Sequence, residues 1–200
     1  YSSMKKKILN YADKLNLRIV SGNNAFRVEG YKLTAFEIYE QLKGDLPDYI
    51  AVPTSACGHI RGLFKGFKEL QKANYIKKLP KMIVVQAKNN SPIVKAIKKK
   101  KKAIIPEKNV KTIAEAITSG NPYGGNEIIK KAYKYNWLAE YVSEKEIMES
   151  QKLLAKDGLF VEPASATSLT AIKKLREKKL LKKEDSVMIM LTGSGLKDFA

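Results

Sequence analysis

The chain has 200 residues, 44% of them apolar, enough for one domain or for one domain and part of another, and no apolar run is long enough to span a bilayer. One cysteine and one histidine exclude a disulfide framework and argue against a structural zinc site. Lys plus Arg outnumber Asp plus Glu by 38 to 20, a net charge of +18, but apart from the run Lys98 to Lys102 the excess is scattered over helix faces, with no nucleic-acid recognition signature and no aromatic–basic ladder, so a solvated basic surface is expected and no specific nucleic-acid partner.

In chain order, Ser3 to Asn16 carries apolar residues at Met4, Ile8, Leu9, Ala12 and Leu15, a helical spacing. Leu17 to Val20 reads as a strand and Ser21 to Asn24 as a loop. A second helix is expected over Tyr31 to Leu42, stopped by Gly44. Asp48 to Pro53 is a short buried strand, Thr54 to His59 a turn of small residues, and Gly58 to Asn74 an amphipathic helix. Met82 to Ala87 is a continuous apolar strand, and Ser91-Pro92 opens a helix at a favoured first-turn proline. A short helix over Lys111 to Thr118 ends at Ser119-Gly120-Asn121-Pro122, and Gly124-Gly125 precedes a helix over Asn126 to Tyr135. Trp137 to Val142 is a strand. Ser143-Glu144-Lys145-Glu146 is a capping box for a helix to Ala155, ended by Gly158. Ala164 to Lys179 is the last long helix and Ser186 to Leu191 the last strand. Strands that are apolar throughout and alternate with helices predict an α/β fold: an open, mostly parallel sheet covered by helices on both faces. Ligands of such sheets sit at the carboxyl ends of the strands.

The loops at those ends hold the candidate chemistry. A turn of small residues feeding a helix N-terminus presents unpaired backbone N–H groups and the positive end of the helix dipole, which suits a phosphate at Ser55, Ala56, Cys57, Gly58 and His59; such turns also serve simply as tight connections. The turn matches neither G-x-G-x-x-G nor a Walker sequence, which disfavours a nucleotide. Thr192-Gly193-Ser194-Gly195 delivers a hydroxyl between glycines, either against a flat ligand or as a plain exit turn. Glu162 and Ser165 stand where a helix-start acid and a cap belong. Cys57, near a helix N-terminus that would lower its pKa, and His59 make a conceivable nucleophilic dyad, although neighbouring turn positions rarely bring both side chains together.

Several collinear segments resemble threonine synthases, pyridoxal-phosphate enzymes of the tryptophan-synthase-β, fold type II class. They are Asn24 to Lys32, Val52 to Lys68, Leu79 to Gln86, Thr112 to Ala114 with Gly120 to Pro122, Phe160 to Ala166, and Leu191 to Asp198. The resemblance implies conversion of O-phosphohomoserine and water to threonine and phosphate, with the backbone of Ser55 to His59 on the cofactor phosphate and the Thr192 hydroxyl at the pyridine nitrogen. It implies a small phosphorylated amino-acid substrate, no membrane partner, and either a homodimer or association with a further N-terminal half. Residues 1–20 would then end the small domain and residues 21–200 form an incomplete large domain.

Three departures accompany it. The family's G-N-x-G-N loop is here Ser55-Ala56-Cys57-Gly58-His59, keeping only Gly58; the Q-K-T that follows Glu-Gly is Tyr31-Lys32-Leu33; and the S-F-K-D-like motif with the Schiff-base lysine does not occur in these 200 residues. Lys32 and Lys65 lack that context, so no catalytic residue is assigned and the chain alone is expected to be inactive and free of cofactor. Tyr1 in place of an initiator methionine fits a sequence that starts inside a longer protein. The alternatives are a non-catalytic relative acting as a binding module and, less well supported, a basic nucleic-acid-associated protein. The absence of a secretory signal makes the cytoplasm the default compartment, and the lysine-rich helix faces suit adaptation to heat.

Overall fold

A computed structural model describes residues 8, 11–12, 14–17, 24–108 and 110–198. The helix expected over 3–16, the strand over 17–20 and most of the loop at 21–24 lie largely outside these residues. Four parallel strands form the sheet: β1 (Tyr49–Pro53), β2 (Lys81–Ala87), β3 (Leu138–Val142) and β4 (Val187–Ile189), in the order β3-β2-β1-β4. Tyr49 stands opposite Lys81 on β2 and Val187 on β4, and Ile83 opposite Leu138 on β3.

Alternate residues of the central strands feed two cores, which is why their sequences are apolar at most positions; the buried Gln86 donates to the Thr54 carbonyl and accepts the Ile93 and Val94 N–H groups. Ile50, Val52, Met82 and Val84 face one layer, with Phe64 and Phe67 of α3 (Gly58–Lys72), Ile93 of α4 (Pro92–Lys98) and Ile128 of α5 (Gly125–Lys134). Ala51, Ile83, Val85 and Ala87 face the other, with Ile147 and Leu154 of α6 (Glu144–Lys156) and Ala166, Ala171 and Leu175 of α7 (Pro163–Glu177). The fold is thus the expected three-layer α/β sandwich, helices on both faces of a parallel sheet.

Two elements differ from the sequence reading. In place of one helix from residue 31, α1 (Ala25–Tyr31) and α2 (Leu33–Gln41) meet at Lys32. Asn24 starts α1 by accepting the Phe26 N–H at 2.9 Å, a cap hidden because α1 buries no residue and so has no apolar stripe. The expected helix over 111–118 is a single 3₁₀ turn, Glu115–Ile117. Its segment is instead tied down by Glu144, whose Oε2 accepts from the Thr112 hydroxyl and the Ile113 N–H. Gly62 and Gly66, one turn apart on α3, let α1 and α2 lie directly on it: a Cβ at Gly62 would come within 2.4 Å of Tyr31 Cβ, and one at Gly66 within 2.5 Å of the Lys32 carbonyl.

Candidate functional site

The turn between β1 and α3 is built from a short list of local causes. Thr54 ends the strand fully inside, its N–H on the Val85 carbonyl and its hydroxyl on the Val52 carbonyl. Cys57 then takes a left-handed conformation (φ 77°, ψ 4°) and α3 begins with no side-chain cap. A left-handed residue leading into a helix turns successive N–H groups to one side, the concavity that binds anions, and the 15-residue helix adds its dipole. Gly124 completes the arrangement. The start of α5, also without a side-chain cap, packs on the turn, and a Cβ at Gly124 would stand 2.7 Å from Cys57 Cβ and 3.3 Å from the Ala56 carbonyl. The sequence marks this contact only by the Gly124-Gly125 doublet, whose role cannot be read without the partner segment.

The turn opens on a cleft of about 920 Å³ at the carboxyl ends of the strands. Of the sequence-predicted residues, Ser55 and Ala56 line it, facing Lys111, Thr112, Glu115, Ser119 and Glu144 across it. Glu144 Oε1 is buried there without a hydrogen-bond partner. A second groove of about 860 Å³, between α1, α3 and α5, is lined in part by ion-paired side chains such as Arg61, Glu127 and Lys131.

Cys57 and His59 do not form a dyad. The thiol is 3% exposed and its sulfur sits 3.6 Å from the Ser55 carbonyl. Burial pushes its pKa up to about 12, against a smaller opposing effect of Arg61. Desolvation therefore outweighs the helix N-terminus that was expected to lower it. His59 packs its ring against Tyr31 at 5.4 Å, and burial lowers its pKa. Lys32 and Lys65 are held in a cluster with Glu29 and Glu69, whose hydrogen bonds raise both lysine pKa values, so neither amine is a nucleophile at neutral pH.

Thr192 lies at the neighbouring strand end. Ala51 pairs with Ile189, and three residues further along each chain stand Thr54 and Thr192. The structure overturns capping as the task of Ser165. Helix α7 has no side-chain cap bond; Ser165 Oγ instead accepts the N–H groups of Thr192 and Gly193, both at 2.9 Å. Glu162 likewise leaves its own helix and accepts the Thr192 hydroxyl at 3.3 Å, with Ser165 Oγ 3.1 Å from the same oxygen. Gly193 is required for this closeness, since its Cβ would fall 2.3 Å from the Glu162 carboxyl carbon.

The model of pyridoxal-phosphate dependent enzymes matches residues 9–193. The chain belongs to this family. Threonine synthase of Methanocaldococcus jannaschii is 45% identical over 181 residues, covering 90% of this chain and 45% of that protein. Among solved structures, threonine synthase from Escherichia coli superposes with a TM-score of 0.70 at 18% identity, over 93% of this chain and 42% of that one. Serine racemase from Dictyostelium discoideum gives 0.71 at 20% identity, over 95% and 57%. These neighbours share the fold type II architecture. The chain spans about half the length of the curated relatives it matches. Among the described residues no helix is long and apolar enough to cross a membrane, and no His, Cys, Asp and Glu cluster could hold a metal.

Proposed function

We propose that the chain carries the larger part of the cofactor domain of a threonine synthase-like enzyme, turning O-phosphohomoserine and water into threonine and phosphate. In this reading residues 1–20 end a small domain and residues 21–200 belong to the large one. The observation that carries it is the uncapped, left-handed turn at Cys57 opening on the cleft, which fits the cofactor phosphate without help from side chains. The backbone of Ser55, Ala56, Cys57, Gly58 and His59 would hold that phosphate, and Thr192 would meet the ring nitrogen. When bound, pyridoxal phosphate supplies the electron sink for elimination and replacement at the substrate.

The residues around it have separable tasks. Ser165 fixes the Thr192 backbone, and the Thr192 hydroxyl, which rests on Glu162 here, would turn its one hydrogen to the ring nitrogen, whose lone pair needs a donor. Unlike an aspartate, a neutral threonine does not by its own charge hold a proton on that nitrogen. Lys111 stands in the cleft as a cation suited to an anionic substrate. The lysine that links covalently to the cofactor would come from polypeptide outside these 200 residues.

Competition between pyridoxal phosphate and pyridoxal for the natural protein tests the phosphate seat. Several charge-assisted hydrogen bonds, at about 1.5–3 kcal/mol each, predict a preference of about a hundredfold or more for the phosphorylated form. Equal affinity for the two would overturn the assignment.

A further inference from the structure

Helices α4, α5 and α7 all end toward the amino ends of the strands, on the β3 edge of the sheet. Side-chain contacts pin these three ends together around β3. Glu140, 1% exposed on β3, is bonded by Lys98 from the end of α4 on one side and by Lys178, just past α7, on the other. The Tyr133 hydroxyl, in the last turn of α5, donates to the Lys101 carbonyl at 2.7 Å. Lysines far apart in sequence thereby form one continuous rim: Lys98 to Lys102, Lys134, Lys178 and Lys179, with Lys174 beside them on α7. The acids beside it are Glu140, neutralised by two lysines, Glu146, paired with Lys174 at 3.0 Å, and the exposed Glu177 on α7.

Helix-end lysines are favoured by the dipole, but that effect is confined to the last turn. Lys100, Lys101 and Lys102 lie beyond the end of α4, are exposed, and make no side-chain ion pair among the described residues. Aromatic rings stand within the rim. The Tyr133 ring is exposed, while Tyr141, with the Lys98 ammonium over its face at 4.3 Å and Lys174 at 5.8 Å, and Tyr135, with Lys134 at 5.5 Å, are half-buried against the core. The fold thus assembles the interleaving of lysine and aromatic side chains that the linear sequence does not display. Phosphates track a cationic surface while bases stack on an exposed ring, and lysine point charges in place of bidentate arginines give no base reading.

We propose that this rim is a sequence-independent docking surface for single-stranded nucleic acid. The test is fluorescence anisotropy of a labelled mixed-sequence DNA of about 20 nucleotides against the chain between about 50 and 200 mM salt. Removing four phosphate contacts with K99Q/K101Q/K102Q/K134Q should weaken binding at least tenfold and flatten the log–log salt slope by about 3, at about 0.7 per contact for single strands. Lys→Arg at the same four positions should restore both. K43Q/K77Q/K152Q/K156Q removes the same charge from exposed positions elsewhere and should stay within about twofold. Equal losses in the two glutamine variants, no binding by the native chain at the lowest salt, or displacement of the DNA by poly-glutamate as effectively as by unlabelled DNA would each overturn the proposal.

Discussion

Adding one methyl group at Gly124 tests whether the start of α5 shapes the candidate phosphate turn. Alanine tolerates the backbone there (φ −84°, ψ 4°), so the consequence is steric. The new Cβ would stand 2.7 Å from Cys57 Cβ and 3.0 Å from Arg61 Cδ, roughly 1 Å short of an ordinary carbon–carbon contact at the first of these. Arg61 can swing aside, but Cys57 sits in buried backbone and cannot. Overpacking of this kind costs about 1–3 kcal/mol, and losing glycine at a helix N-cap adds up to about 1 kcal/mol. Gly124→Ala should therefore destabilise by about 2–3 kcal/mol. At a urea m-value of about 2–3 kcal/mol/M that lowers the unfolding midpoint by about 1 M. It should also weaken pyridoxal phosphate binding by the natural protein at least about tenfold, since the turn is displaced by about 1 Å. Gly158→Ala is the comparison: with φ +81° and nothing within 4 Å, it should cost only the left-handed strain, about 1–2 kcal/mol, and leave cofactor affinity unchanged. A Gly124→Ala protein with native midpoint and native cofactor affinity would refute the close packing of α5 on the turn.

Three further outcomes follow from side-chain environments. Burial pushes the Glu140 pKa up, yet the bonds from Lys178 and Lys98 outweigh it and hold it below the usual carboxylate value. Its stabilisation is therefore present above about pH 4.5 and lost as pH falls through the depressed native value. Because Lys98 and Lys178 are 32% and 45% exposed and can rehydrate, Glu140→Gln should cost only about 2 kcal/mol at pH 7 in urea melts, and should flatten the stability profile below pH 4.5. Cys57, with its pKa near 12, should react with a thiol reagent at pH 8 on the order of 10³-fold more slowly than an ordinary thiol and become titratable on denaturation; rapid native reaction would restore the nucleophile reading. Ser165→Ala leaves the Thr192 and Gly193 N–H groups without their acceptor and should destabilise by about 1–3 kcal/mol in urea melts; an unchanged stability would refute that role.

The architecture was legible because it rests on local signals. The apolar runs at 48–53 and 82–87, the capping box at Ser143 and the stops at Gly44 and Gly158 each act within a few residues, and each stands where expected. Errors arose where tertiary partners decide. The segment 111–118 has helical composition, yet Glu144, some thirty residues away, claims its hydroxyl and its N–H. Ser165 sits in the first turn of its helix, where capping residues belong, but the chain returns at residues 192–193 to take its oxygen. The thiol of Cys57 looked activated from its place before a helix; its burial, which reverses the sign, is invisible in sequence. In the candidate site, the position of the turn could be read, while Gly124, Glu162 as partner of Thr192, and Glu144 at the cleft could not, because each acts across the fold.

Incubation of the natural protein containing these residues with O-phosphohomoserine, with threonine and inorganic phosphate both quantified, is the most direct measurement. The account predicts that the two products form in equimolar amounts, that formation requires pyridoxal phosphate, and that Thr192→Val reduces it. A protein that retains pyridoxal phosphate yet releases neither product from this substrate would contradict the threonine synthase-like reading and leave these residues a cofactor- or phosphate-binding module.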